Sequence, residues 1–229
     1  MSPTTKDKQT APFKGDIGDN TRRLLSYKQI QDRLYLSRTQ LFRLDREGAR
    51  LLPDAVVVPG TLGWDEKRVL QYGIDTGRLA EDGQPAGGWD GDRPRNRVTD
   101  GSLPTMRRLV EERYSAPPKV YLGSALCSYV YGHTDLSVLF LRKRGGFFAA
   151  NVLIGDKLLG WDEEEVIRFG QQTGRLPRTD NTVLKAWAVR RTEEFGMDPN
   201  VPWVVELLGE GNLPAWSPVA GPEKEADTP

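Results

Sequence analysis

The 229-residue chain has one cysteine, Cys127, and one histidine, His133. A single cysteine excludes an intramolecular disulfide, and its apolar or small neighbours (ALCSYV) mark it as a buried thiol. One Cys and one His exclude a zinc site of the usual composition. Neither stands in a nucleophile motif, so a Ser-His-Asp or Cys-His apparatus has no footing. The phosphate cradles G-x-x-x-x-G-K-[ST] and G-x-G-x-x-G are missing. A carboxylate-only metal site would fall to WDGD at Trp89 to Asp92, which reads instead as solvated linker. No run approaches the roughly 18 apolar residues of a membrane span, and the polar start MSPTTKDKQT lacks a signal-peptide core. These absences predict a cytoplasmic protein that is not an enzyme and uses no metal or cofactor.

What is present is a repeat. LGWDEKRVLQYGIDTGRL (Leu62 to Leu79) returns as LGWDEEEVIRFGQQTGRL (Leu159 to Leu176), 97 positions on. The match runs without a gap from Leu25/Leu122 to Leu79/Leu176, with 14 identities over 55 positions. A register this clean marks a duplicated supersecondary unit the size of a small domain. Net charge is zero but unevenly spread. Residues 22–79 carry eleven Lys/Arg against seven Asp/Glu, whereas residues 177–229 carry five against nine. The basic excess sits in copy one, where it can attract phosphate.

Copy one reads as an ordered set of local signals. Ser26-Tyr27-Lys28-Gln29 is a capping box, with Ile30 and Leu34 on one helix face behind it. Ser37-Arg38-Thr39-Gln40 is a second box, opening a helix through Leu41, Phe42 and Leu44 that ends at Gly48. Ala55 to Val58, the turn at Pro59-Gly60-Thr61, and Leu62-Gly63-Trp64 make a hairpin. Asp65 caps a third helix that stops at Thr76-Gly77. Helix, turn, helix, hairpin, helix is the order of a winged helix-turn-helix.

SYKQIQDRLYLSRTQLFRLDREG, the hairpin and GWDEKRVLQYG resemble the small winged-helix domains of the MerR, AlpA and excisionase group. The resemblance covers all of copy one. Copy two keeps the hairpin and last helix but departs in the second helix, where Asp135 stands for Arg38 and Phe140 for Arg43. The predicted fold is α+β, mainly α. It comprises a disordered tail (1–20), winged domain one (21–80), a linker with a short helix (81–117), degenerate winged domain two (118–178), a C-terminal helical extension (179–216) and a disordered tail (217–229).

A recognition helix exposes its first two turns to base edges. The candidate DNA contacts are therefore Arg38, Thr39, Gln40, Arg43 and Arg46, with Ser37 at the helix N-terminus, Thr61 at the wing tip, and Arg22, Arg23 and Lys28 on the backbone. Arg142-Lys143-Arg144 are lesser phosphate contacts, whereas the linker residues Arg93, Arg95 and Arg97 read by default as solvated, with grazing contact to DNA as the alternative. In copy two, Leu136, Leu139 and Phe140 put apolar surface where copy one is polar, which predicts a protein-interaction module. His133 reads as a turn residue. Each copy is expected to fold alone, with Trp64 and Trp161 pinning wing to last helix. The predicted function is a sequence-specific DNA-binding protein associated with the nucleoid: a transcriptional regulator or an excisionase-like recombination accessory. Its partners are double-stranded DNA and a recombinase or a second copy of itself. The alternative is a protein-interaction factor that docks its winged-helix scaffold on a DNA enzyme such as a phage integrase.

Overall fold

The computed structural model describes residues 12–13, 15–86, 89–90, 93–94, 103–133, 137–176 and 181–216. A short strand, β1 (Arg22–Leu24), leads into α1 (Tyr27–Arg33). The Ser26 hydroxyl accepts from the Gln29 amide, and the Gln29 side-chain carbonyl accepts from the Ser26 amide at 2.8 Å. The same reciprocal pair, Ser37 with Gln40, opens α2 (Arg38–Arg46). Gly48 follows at φ +65°, a conformation that favours glycine. The hairpin is β2 (Ala55–Val58) and β3 (Thr61–Gly63), and α3 (Glu66–Asp75) follows.

Asp65 caps α3 by accepting from the amides of Lys67 and Arg68. Burial works to raise its carboxyl, but the Arg22 guanidinium and those amides outweigh it and hold the group below the ordinary carboxylate range. At the other end of α3, Gln71, Tyr114 and Arg113 do the same for Asp75 against its burial. A depressed folded-state pKa gives stability that is present above the unfolded value and lost as pH falls through the folded one. Urea midpoints are therefore expected to fall on strong acidification, and Asp65→Asn should flatten that acid limb. An acid limb identical in wild type and Asp65→Asn would show that the cap carries no linked charge.

Beyond copy one come a two-residue ribbon, β4 (Trp89–Asp90) with β5 (Arg93–Pro94), and α4 (Leu103–Arg113). Arg95 and Arg97 lie outside the described residues. Much of the expected linker is structural. Met106 and Val110 of α4, with Tyr114 beyond it, join Ile30, Leu34, Leu41, Leu44, Trp64, Val69 and Tyr72 in one core. Tyr114 meets Tyr72 edge-on at 5.7 Å and donates to Asp75 at 2.8 Å, while Arg68 reaches the Tyr114 carbonyl at 2.9 Å. The apolar face at i, i+3, i+4 thus seals copy one.

Copy two contributes β6 (Lys119–Leu122), α5 (Ser124–Val130), α6 (Ser137–Lys143), the hairpin β7 (Val152–Ile154) with β8 (Leu158–Gly160), and α7 (Glu163–Gln172). α8 (Thr182–Glu193) and α9 (Pro202–Leu208) follow. The chain is mixed α/β and mainly helical.

The copies exchange strands. β1, at the head of copy one, pairs in parallel with β7 of copy two, Arg22 opposite Val152. β6, at the head of copy two, pairs in parallel with β2 of copy one, Ala55 opposite Lys119. A shift of 97 positions turns one register into the other. A hairpin of strands this short cannot stand by itself, so each takes its third strand from the other copy. Leu24, Ala55, Val57 and their counterparts Tyr121, Val152 and Ile154 fill the core between the two sheets. Gly63 and Gly160 are small for this reason: a Cβ at Gly63 would stand 2.8 Å from Ile154, and one at Gly160 2.7 Å from Val57.

The chain divides into two compact units. The first holds the described residues up to Gly123 with Leu141–Asp162, so it includes both hairpins. The second holds Ser124–Phe140 and the residues from Glu163 onward. In it, Leu126, Cys127, Val130, Val166, Leu184, Trp187 and Val204 are buried, and the Tyr131 hydroxyl donates to the Val166 carbonyl at 2.7 Å.

Residues before 21, expected to be a free tail, include an anchor. Asp16 is buried and accepts from Arg142 Nε at 3.0 Å and Nη2 at 2.7 Å. The Arg142 guanidinium also lies over the rings of Phe13 and Trp161, 5.3 and 5.1 Å from their centroids. A charge so enclosed must be paired, which removes Arg142 from the phosphate contacts.

Candidate nucleic-acid interface

α2 presents its polar face because Leu41 and Leu44, three apart, fix the buried face. Ser37, Arg38, Thr39, Gln40, Phe42, Arg43 and Arg46 are all exposed. Two carboxylates share this region, and each is held by an arginine from elsewhere. Asp45 meets Arg50 at 3.1 Å, and Glu47 meets Arg107 of α4 at 2.6 Å. Among the described residues no carboxylate pairs with Arg38 or Arg46. The local field on this face is therefore cationic.

Phe42 is the residue that the sequence reading left among the apolar positions of the helix. It is 49% exposed, with the Arg38 guanidinium 5.3 Å from its ring centroid and Tyr27 packed at 6.2 Å. Helical spacing carried the signal: position 42 falls off the stripe set by 41 and 44, and position 38 lies one turn before it.

Other expected contacts are differently placed. Gln40 spends its side-chain carbonyl on the Ser37 amide, so it cannot offer both donor and acceptor to an adenine edge. Ser37 likewise accepts from the Gln40 amide at 3.2 Å. Arg22 donates to the α3 cap Asp65 at 3.1 Å and lies 3.7 Å from Asp54, which makes it a structural cation. Arg23 and Lys28 are exposed, on β1 and in the first turn of α1. Thr61 is half-buried beside the exposed turn Pro59-Gly60.

In copy two, Leu136 lies outside the described residues, Leu139 is half-buried and Phe140 is 52% exposed. Lys143 and Arg144 are exposed. His133 is exposed, and its amide closes the turn after α5 on the Ser128 carbonyl at 3.1 Å.

The turn between α1 and α2 holds the described residues' one non-glycine at positive φ, Tyr35 at +52°. Its counterpart Gly132 adopts +70°. A bulky side chain there is strained where glycine is not. Tyr35 lines an open cleft of about 500 Å³ with Gln29, Asp32, Arg33, Leu70 and Gln84.

No family model, curated protein or solved structure matches this chain.

Proposed function

We propose that copy one works as a winged helix-turn-helix whose α2 reads double-stranded DNA in the major groove. The observation that carries the reading is the α2 face itself: Arg38, Arg43 and Arg46 around an exposed Phe42, with the neighbouring carboxylates already engaged. Arg38 offers a bidentate donor pair to guanine, and Phe42 offers apolar contact to a thymine methyl. Lys28 and Arg23 supply phosphate contacts that position without specifying. No helix among the described residues is long and apolar enough to cross a membrane. The biological role is that of a nucleoid-associated transcriptional regulator or an excisionase-like recombination accessory. The exposed Phe140 favours a second reading for copy two, a face that docks on a DNA enzyme such as an integrase.

Selection from a random duplex pool, followed by electrophoretic shifts over a salt series, tests this. Binding is expected to weaken steeply with salt. Arg38→Ala is expected to cost about 1–3 kcal/mol against the selected duplex and to relax base preference. Replacing thymine by deoxyuridine, which lacks the methyl, should weaken wild type and leave Phe42→Ala unaffected. An empty selection, or Arg38→Ala and Arg43→Ala both binding as wild type, overturns the groove assignment; an empty selection moves the function to the docking reading.

A further inference from the structure

The strand exchange has the symmetry of a dimer. In a two-fold homodimer, residue i of one subunit meets residue j of the other, and j meets i. Here Arg22 meets Val152 and Ala55 meets Lys119, and the remaining pairs follow in step. The correspondence extends past the ladders. Leu25 bridges Trp64 as Leu122 bridges Trp161. The indole of Trp64 donates to the Leu51 carbonyl and that of Trp161 to the Phe148 carbonyl, at 3.1 and 3.2 Å. The amide of Asp65 donates to Asp54, and that of Asp162 to Asn151. Each exchanged strand begins with a cation that reaches the aspartate just before an α-helix, Arg22 to Asp65 and Lys119 to Asp162 at 2.7 Å.

We infer that this chain is two halves of a strand-exchanged dimer joined by a connector, and that the β2 edge covered here by β6 is a docking surface for the leading strand of a second copy of the same unit. Main-chain hydrogen bonds supply the affinity in such strand addition, and alternate side chains supply the specificity. The Lys119 amide donates to the Asp54 carbonyl at 3.0 Å and the Gly123 amide to Val58 at 3.3 Å. The third residue of each arm, Leu24 or Tyr121, enters the shared core. The connector need only keep the halves together. Its last stretch before β6, residues 115–117, is exposed. The inference is independent of DNA binding.

The test cuts the full-length protein in place. A protease site inserted between Ser115 and Ala116 leaves copy one with α4 on one fragment and copy two on the other. After cleavage under native conditions, both fragments are expected to elute together at the uncut volume, with unchanged far-ultraviolet circular dichroism. They should separate only in denaturant. Lys119→Pro deletes the amide that bonds Asp54, and in the cut protein it is expected to weaken fragment association at least tenfold relative to Lys119→Ala, which removes the ammonium alone. Circular dichroism of the uncut variants checks that both fold. Fragments that part in native buffer, or Lys119→Pro and Lys119→Ala associating equally well, would overturn the inference.

Discussion

Trp64→Ala is expected to unfold the core of copy one, with a loss of about 3–5 kcal/mol. The indole is 1% exposed and is the largest ring in that core. Its Nε1 donates to the Leu51 carbonyl, and Tyr27 tilts against it at 6.3 Å. Truncation leaves a cavity between α1, α2 and α3 and an orphaned carbonyl in apolar surroundings. A domain of this size holds only about 5–15 kcal/mol in total, so the loss is a large share. The loss should reach the sheets, because the Trp64 backbone also exchanges hydrogen bonds with Leu25, just beyond β1, at 2.7 and 3.1 Å. Trp64→Phe keeps ring bulk and loses the N–H, so it should cost less. Urea unfolding followed by circular dichroism reads both; a shift below about 1 kcal/mol for the alanine variant would mean the indole is not the pin of this core.

Glu163→Gln is expected to cost a similar amount in the second unit, about 3–5 kcal/mol, although it changes only one atom. Glu163 is 9% exposed and Arg191 2%. The Glu163 carboxylate accepts from Arg191 Nε at 2.9 Å and from the Trp187 indole at 2.8 Å, and Arg191 also reaches the Asp198 carbonyl. Burial pushes the Glu163 carboxyl above its ordinary range, against the pull of Arg191 and the indoles of Trp187 and Trp203. Neutralising it strands a guanidinium in an apolar interior. Replacing both partners together, Glu163→Leu with Arg191→Met, should recover most of the loss. Copy one supplies the control. Its counterpart Glu66 pairs with Arg33, but both side chains are about half exposed. Such a pair contributes about 0–1 kcal/mol, so Glu66→Gln should be nearly silent. Equal losses at the two positions would show that burial is not what separates them.

These paired positions mark what the sequence made legible. The capping boxes at Ser26 and Ser37, the Asp65 cap, both hairpins and the Leu41/Leu44 stripe are decided within a few residues of themselves, so periodicity and turn chemistry located them. The exchanged strands were not legible. They are three and four residues long, begin with cations, and meet partners 130 and 64 positions away, from Arg22 to Val152 and from Lys119 to Ala55. The same holds for Asp16 with Arg142, where two charged letters in polar contexts give no sign of burial. Of the candidate site, the α2 residues were legible because the buried stripe of a helix defines its opposite face. Gln40, already legible as a capping partner, and Arg22 both hold structural bonds for one reason: a side chain able to bind a ligand is equally able to bind its own backbone or a neighbouring cap.

The parallel edge of β2 has a temporal consequence. Ala55–Val58 leaves the ribosome before Lys119–Leu122 has been made, and synthesis runs at about 5–20 residues per second. For some seconds, then, a nascent chain displays Ala-Val-Val-Val with one side of its backbone bare, an apolar segment of the kind that pairs with neighbouring polypeptides. Slow translation of the intervening stretch, or a crowded polysome, would lengthen that window and favour aggregation even where the finished molecule is stable.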